Sequence, residues 1–472
     1  MTRTDVCVIG GGPAGAAVAC RLARLGHGVT VVERHSFPRP HVGESVSPGV
    51  WPLLETLGAR ERIESAAFTK ADVAHVRWGG PAERRAPQPG GGLALTVDRG
   101  RFDELLLAAA RDAGATVVQP AVARQPRRAG GGWEVPLAGG GVIRAAFLAD
   151  ASGRRRLLGG RRKRTAPALL ALHGSWRGVR HDGSDTRVDA CRDGWLWGAH
   201  VPSGSFRAMA FVDPALVRMR RSDGHDGVYH ELLGESPLFA DLVAGAARLE
   251  GSVHACDATC YFDAAPITGD SAKVGEAAFA IDPLSSSGVQ TAIQSAIAAS
   301  TAVHTILTAD ADGRALASAY YREHQRYAVE HHQRLAAESY ADCVEHRDEP
   351  FWSARAGRRR RPDAPAPAAA GLDDLMARPV RLCSGAVLVA TPCAVGERVE
   401  RRLALRHASL PRPVAYLGDA ELAPLLETLR RERPLRSVLD EWSRVVAPER
   451  AHGIAGWLAH RGLLEAADGA PR

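Results

Sequence analysis

Apolar and polar positions change their spacing several times along this 472-residue chain, and each change marks an element. Asp5-Val6-Cys7-Val8-Ile9 is a short apolar run with β-branched residues, closed by glycine, which predicts a buried strand. An alanine-rich run up to Leu25, stopped by Gly26, predicts a helix, and residues 29–32 predict a second buried strand ending at Glu33. Residues 34–48 hold too much proline and glycine for regular structure. A helix is expected over 50–57, a half-buried strand over 71–78, a loop over 79–92, a helix entered at 97–103 and running through 113, and a strand at 116–118. Residues 133–135 and 142–144 suggest a hairpin around the glycines at 139–141, and 146–150 is a further buried strand. Many short β-like runs between 169 and 262, such as residues 206–212, predict a mostly antiparallel layer. The helical period returns, after a strand ending at 272–276, in a long alanine-rich helix opened at 282–288 and in another over 313–344.

These elements predict an α/β chain of two or three domains. A Rossmann-like nucleotide-binding domain takes residues 1–165 and returns over 263–352, with the antiparallel β layer over 166–262 between them. Residues 353–371, rich in Arg, Pro and Ala, read as a linker. Over 372–472, strands at 380–382, 387–390 and 403–406 precede helices at 421–431, 435–445 and 449–460, the order of a small α+β, winged-helix-like module.

The first stretch carries the strongest chemistry. Gly10, Gly12 and Gly15 fit the G-x-G-x-x-G fingerprint between a strand and a helix. The first allows a tight turn, the second lets the backbone approach a pyrophosphate, and the third lets helix and strand pack. Pro13 and Ala14 open the helix, whose free N–H groups and dipole favour phosphate. Glu33 is placed to accept hydrogen bonds from a ribose, with Arg34 beside it.

Composition changes this picture little. With 45% hydrophobic residues the chain can bury a substantial core. It has no apolar run of membrane-spanning length, and its first strand starts too early for a signal peptide. A cytoplasmic location is expected, and eight cysteines without a paired C-x-x-C pattern fit reduced thiols there. The net charge of +7 is concentrated in arginine clusters at 154–156, 161–164 and 358–361. Aromatics make up only 6%, so no stacking platform for nucleic acid is interleaved with them; these read as basic loops, suited to an acidic partner. No metal is expected: Cys256 and Cys260 near His254 read as structural, and His324, His331 and His332 as a solvated helix face.

Several stretches, in order, resemble the FAD-dependent monooxygenases of the p-hydroxybenzoate hydroxylase fold, in particular the branch that contains flavin-dependent halogenases. Gly10, Gly12, Gly15 and Glu33 match the ADP-binding end. Gly43-Glu44-Ser45 matches a G-E-S loop close to the flavin, and Arg99 with Phe102-Asp103 an R-x-x-F-D helix start whose arginine contacts the cofactor. Asp150-Ala151-Ser152-Gly153 matches the D-A-S-G segment that replaces a D-G motif of ordinary hydroxylases. Gly275-Glu276 stands where the family has a G-D pair binding the ribityl chain. Asp282-Pro283 with Ser286-Ser287-Gly288-Val289 resembles the segment that brings a helix N-terminus to the isoalloxazine. The match covers roughly residues 4 to 340, and implies bound FAD and activation of O2.

Within that branch two chemistries remain open. Lys70 stands where the halogenase lysine falls, which favours halogenation of a phenolic, pyrrole or indole substrate. Halogenases also carry W-x-W-x-I-P, whereas this chain has Trp197-Gly198-Ala199-His200-Val201-Pro202. The broken motif and the C-terminal module are similar to the flavoprotein hydroxylases that mature tryptophylquinone cofactors in bacterial amine dehydrogenases and amino-acid oxidases. That resemblance implies a tryptophan within a peptide or protein as substrate, hydroxylated on its ring. The D-A-S-G departure removes a motif that helps NADPH bind, so a separate flavin reductase is an expected partner. His200, Asp193 and Asp189 are candidate bases, and Trp195 and Trp197 candidate walls of an aromatic pocket. A non-catalytic flavin-binding scaffold and a reductase of the geranylgeranyl-reductase branch are the remaining readings.

Overall fold

The structure, a computed structural model, describes residues 2–87, 92–179, 184–220, 224–249, 251, 253–357 and 371–467. The chain divides into two compact units, Met1–Arg358 and Arg359–Arg472.

The first unit is built on a seven-stranded sheet. Thr116–Val118, Val29–Val32, Thr2–Ile9, Val142–Asp150 and Ser271–Lys273 run parallel, and Gly132–Pro136 and Arg127–Ala129 extend the sheet antiparallel. The apolar runs at 6–9 and 29–32 are wholly buried, as a parallel sheet covered on both faces requires. Residues 142–150 form one strand rather than the two expected pieces. Its first half alternates between buried and exposed and its second half is buried throughout, so the sequence breaks its pattern where the backbone does not. Four helices matter for the site: α1 (Pro13–Arg24), α2 (Arg99–Asp112), α3 (Gly288–Thr308) and α4 (Ala311–Ala341). Small residues let α1 and α3 approach closely, and α4 packs behind α3.

The second layer is an eight-stranded sheet ordered Ala247–Arg248, Leu170–Arg177, Phe206–Val212, Gly194–His200, Thr186–Cys191, Val73–Arg77 and Arg84–Pro87, with His254–Asp257 also paired to Leu170–Arg177. It is antiparallel except where Val73–Arg77 meets Thr186–Cys191. Two expectations are corrected here. The stretch 79–92 contains the strand Arg84–Pro87, and the layer draws strands from before residue 165 (residues 88–91 lie outside the described ones). Within 166–262, helices Pro214–Met219, Gly224–Glu235 and Ala240–Val243 cover the outer face of the mostly antiparallel sheet. Gly224–Glu235 offers only Val228, Tyr229, Leu232 and Leu233 as an apolar stripe, too short to stand out in the sequence.

In the second unit Val387–Val395 and Arg398–Arg406 form a long hairpin, and Pro379–Leu382 pairs with Arg433–Pro434 and Leu464–Ala466. Helix Leu435–Trp442 buries Leu435, Val438, Leu439 and Trp442, a complete i, i+3, i+4, i+7 stripe, against Leu426, Ile454 and Leu458. Most of the expected linker, 358–370, lies outside the described residues. Its first residues are not extended chain: they follow the short helix Pro350–Ser353, and Arg355 is buried, stacked on Phe351 and bonded to the Phe351 carbonyl. Among the described residues no helix is long and apolar enough to cross a membrane.

Candidate active site

The glycine turn divides its labour. Gly10 has φ +104°, and a Cβ on it would lie 2.4 Å from the Ala151 carbonyl oxygen. A Cβ on Gly15 would lie 1.9 Å from the Gly10 oxygen, so both positions serve packing. At Gly12 the nearest atom to such a Cβ is Arg39 Nη2, at 3.5 Å, which leaves that face open to a ligand. Helix α1 starts there with Pro13 in its first turn, no side-chain cap and no acidic residue. Its leading N–H groups are thus available to an anion. Glu33 is buried, and its two oxygens accept the amides of Gly11 at 2.7 Å and His35 at 2.8 Å. It clamps the turn, and the second lone pair of each oxygen remains for hydroxyl groups. Arg34 is exposed. Arg39 is the residue that sequence reading missed. It lies beside Gly12, over the Phe37 ring, and bonds Asp103 Oδ2 at 3.0 Å. Its signal was its place between Pro38 and Pro40, which stiffen the backbone that carries it.

Arg99 forks onto Asp103 at 3.0 and 3.1 Å and donates to the Val42 carbonyl at 3.1 Å. It therefore pins the loop that carries Gly43-Glu44-Ser45. Gly43, at φ +100°, would bring a Cβ within 3.0 Å of Arg99 Nη1. Glu44 is buried, accepts the Gly43 amide at 2.9 Å and meets Arg207 of the second layer at 3.1 Å. Ser45 enters a short strand, and Ser47 Oγ then reaches Gln290 of α3 at 2.6 Å.

Asp150 lies at the end of the strand Val142–Asp150. It is fully buried, and its oxygens accept the Ser152 amide and hydroxyl, at 3.1 and 2.6 Å, and the Leu158 amide at 2.8 Å. Its carboxylate shapes the 150–158 turn through these bonds. Gly275, at φ +60°, lies where a Cβ would be 2.8 Å from Ala14 and 3.5 Å from Ala292. The first turn of α1 and the second turn of α3 therefore meet at this glycine. Glu276 pairs with Arg154 at 3.1 Å and remains half exposed. Ser286 adopts φ +50°, and Ser287 precedes α3 without capping it, because its hydroxyl donates to the Ser285 carbonyl at 3.0 Å. Gly288 and Val289 begin the helix, whose first turn has no acid.

The candidates for chemistry scatter. Lys70 is exposed on the strand Thr69–Ala71, with Nζ 5.9 Å from the Trp51 ring. His200 ends the strand Gly194–His200, its ring edge-on to Phe206 at 5.3 Å. Trp195 is 2% exposed, stacked on Phe211 at 3.9 Å, and its indole N–H donates to the Tyr340 hydroxyl at 3.2 Å. Trp197 joins it in the same cluster. Both are buried in the inner sheet face, as the core alternative to a pocket wall has it. Asp189 is buried in an ion pair with Arg77 at 2.6 Å, and Asp193 lies 3.8 Å from Arg220. Asp282 was overlooked as an acid. It is buried, accepts the Leu284 amide at 3.0 Å and the Tyr340 hydroxyl at 3.1 Å, and burial pushes its pKa up. It borders a cavity of about 280 Å³ together with Tyr340, Cys260, His332 and Arg355. Among the described residues no cluster of His, Cys, Asp and Glu could hold a metal.

The open face of Gly12, the uncapped N-terminus of α1 and the close packing of α1 and α3 around Gly275 fit a flavin dinucleotide. The comparisons agree. Residues 3–132 match the family model for an FAD binding domain. The tryptophan 2-halogenase of Chondromyces crocatus is 31% identical over 374 residues, covering 75% of this chain and 71% of that protein. The crystal structure of CmlS, a flavin-dependent halogenase, superposes with a TM-score of 0.80 at 26% identity, covering 100% of this chain and 97% of that one. The peptidyl tryptophan dihydroxylase QhpG, essential for tryptophylquinone cofactor biogenesis, superposes with a TM-score of 0.72 at 28% identity, covering 98% of this chain and 100% of that one. The chain belongs to the flavin-dependent halogenase-like branch of the FAD-binding oxidoreductases, a branch it shares with that hydroxylase.

Proposed function

We propose that this chain hydroxylates the indole ring of a tryptophan held in a peptide or protein, as a step in building a tryptophylquinone cofactor. The observation that carries the reading is Ala199. It is fully buried in the inner face of the second layer, at the position where the halogenase motif has its second tryptophan. Tryptophan is named as the substrate of both the Chondromyces halogenase and the structurally similar dihydroxylase, which supports an indole as the group oxidised.

The chain's own residues have four tasks. The α1 N-terminus and Gly12 receive the pyrophosphate, with Arg39 beside them, and Glu33 holds the turn and offers acceptors to the ribose. Arg99 and Glu44 fix the loop that faces the flavin. The uncapped α3 N-terminus would offer N–H donors and a positive dipole end to a flavin held in this cradle. The aromatic cluster of Trp195, Trp197, Tyr340 and Trp352 keeps water out from the other side. Bound FAD, once reduced, supplies the two electrons that let O2 deliver one oxygen atom. A separate flavin reductase delivers that reduction, and the C-terminal unit grips the polypeptide substrate.

A second reading, halogenation of the same ring, is favoured by Lys70 and by the Chondromyces relative. Intact-mass analysis after turnover with reduced flavin, O2 and excess bromide, offering a tryptophan-containing peptide and free tryptophan, decides between them. Oxygen mass on the peptide, indifferent to bromide, supports hydroxylation. Bromine incorporation abolished by Lys70→Ala overturns it.

A further inference from the structure

Two buried tryptophans of the second layer donate to a tyrosine hydroxyl, and the two chains of bonds end differently. On the outer face, Trp176 Nε1 donates to Tyr229 at 3.0 Å, and Tyr229 donates to the Ala208 carbonyl at 3.2 Å. That chain closes within the layer, on backbone. On the inner face, Trp195 Nε1 donates to Tyr340 at 3.2 Å, and Tyr340, in the last turn of α4, donates to the Asp282 carboxylate. Asp282 in turn receives the Leu284 amide and so closes the short turn Pro283–Ser285. That turn passes through Ser286, in the left-handed region, directly into the uncapped N-terminus of α3.

We infer that Tyr340 is a positioning residue for the flavin: one hydroxyl ties the sheet of Trp195, helix α4 and the turn that aims the α3 N-terminus. Three features separate it from packing. Its acceptor is the buried Asp282 side chain, which also holds the Leu284 amide, so the bond reaches the turn itself. Trp195 is stacked at 3.9 Å on Phe211 and cannot shift alone, so movement of the sheet passes to Tyr340. Asp282 and Tyr340 also face the cavity of about 280 Å³, so the turn has room to move once the bond is lost. Behind it α4 supports the same platform a second time: Tyr321 and Gln325 bond Ser295, which receives the Gly275 amide at 3.1 Å. The assignment rests on the flavin reading of the cradle and is independent of whether the product is hydroxylated or halogenated.

The test compares Tyr340→Phe with Trp176→Phe in the FAD-loaded protein, reading melting temperature, the visible absorption bands of bound flavin, and the FAD dissociation constant. Tyr340→Phe is expected to shift the flavin bands and weaken FAD binding about tenfold. Trp176→Phe, which removes an indole–phenol bond of the same kind, is expected to lower the melting temperature without either change. Equal flavin effects in both variants, or none in Tyr340→Phe, would overturn the proposal. If Tyr340→Phe does not fold, Trp195→Phe replaces it, with a smaller shift in the same direction expected and no shift overturning. No FAD binding by the unaltered protein would instead sink the cofactor reading.

Discussion

Glu44 and Arg207 meet at 3.1 Å across the boundary between the flavin-side loop and the second layer, both largely withdrawn from solvent. Arg99, paired with Asp103, pins the same loop through the Val42 carbonyl, and Asp103 also takes Arg39 beside Gly12. Removing one partner strands a buried charge. Arg207→Met is expected to cost about 3 kcal/mol, and Glu44→Gln somewhat less, because the amide still accepts the Gly43 N–H. Denaturant unfolding of the two single variants and the double checks this: the double variant should be less unstable than the sum.

The glycine turn separates folding from cofactor binding. Gly15→Ala forces a Cβ into the Gly10 carbonyl and should destabilise the unit by about 3 kcal/mol or abolish its folding. Gly12→Ala meets no protein atom closer than 3.5 Å and should fold normally while losing most of its FAD affinity. Melting curves alongside flavin titration distinguish them. Equal loss of fold in both would contradict the division.

Lys70 is exposed, and its replacement by alanine should change stability by less than about 0.5 kcal/mol. Oxygen incorporation into a tryptophan peptide should survive Lys70→Ala unchanged. A hundredfold or greater loss would return the residue to the chemistry of oxygen transfer.

Burial, with His331 alongside, pulls the His332 imidazole from 6.5 down to about 4. Below the unfolded value the unfolded chain takes up a proton that the folded chain refuses. The stability from neutral His332 is thus complete above about pH 6.5 and is lost as pH falls towards 4. Melting temperature followed from pH 7.5 to 4.5 should drop less steeply in His332→Gln than in the unaltered protein; parallel curves would refute it.

The glycine turn was legible because its chemistry is local: a strand, three glycines and an acid must follow one another to make it. The same holds for the buried run 6–9 and for α3. What could not be read is what distant packing decides. The sequence around Asp150 does not show that its carboxylate ties Ser152 and Leu158 into one turn. Trp195 has the composition of a pocket wall, yet Tyr340 takes its only polar atom. Arg39 lay in a stretch dismissed as irregular, where neither period nor motif marks a residue. The strand Arg84–Pro87 exists because Val73–Arg77 offers it an edge, not because its own residues favour one.

The parallel pairing of Val73–Arg77 with Thr186–Cys191 bears on how such a protein can change over generations. The second-layer sheet is stitched from segments more than a hundred positions apart, and Arg77 anchors on Asp189 across that seam. An exchange of genetic material covering only residues 166–262 would bring in a sheet without its own border strands and a buried Asp189 facing a foreign residue. New substrate preferences in this architecture must therefore arise by substitution in place, or by recombination that carries 73–87 along.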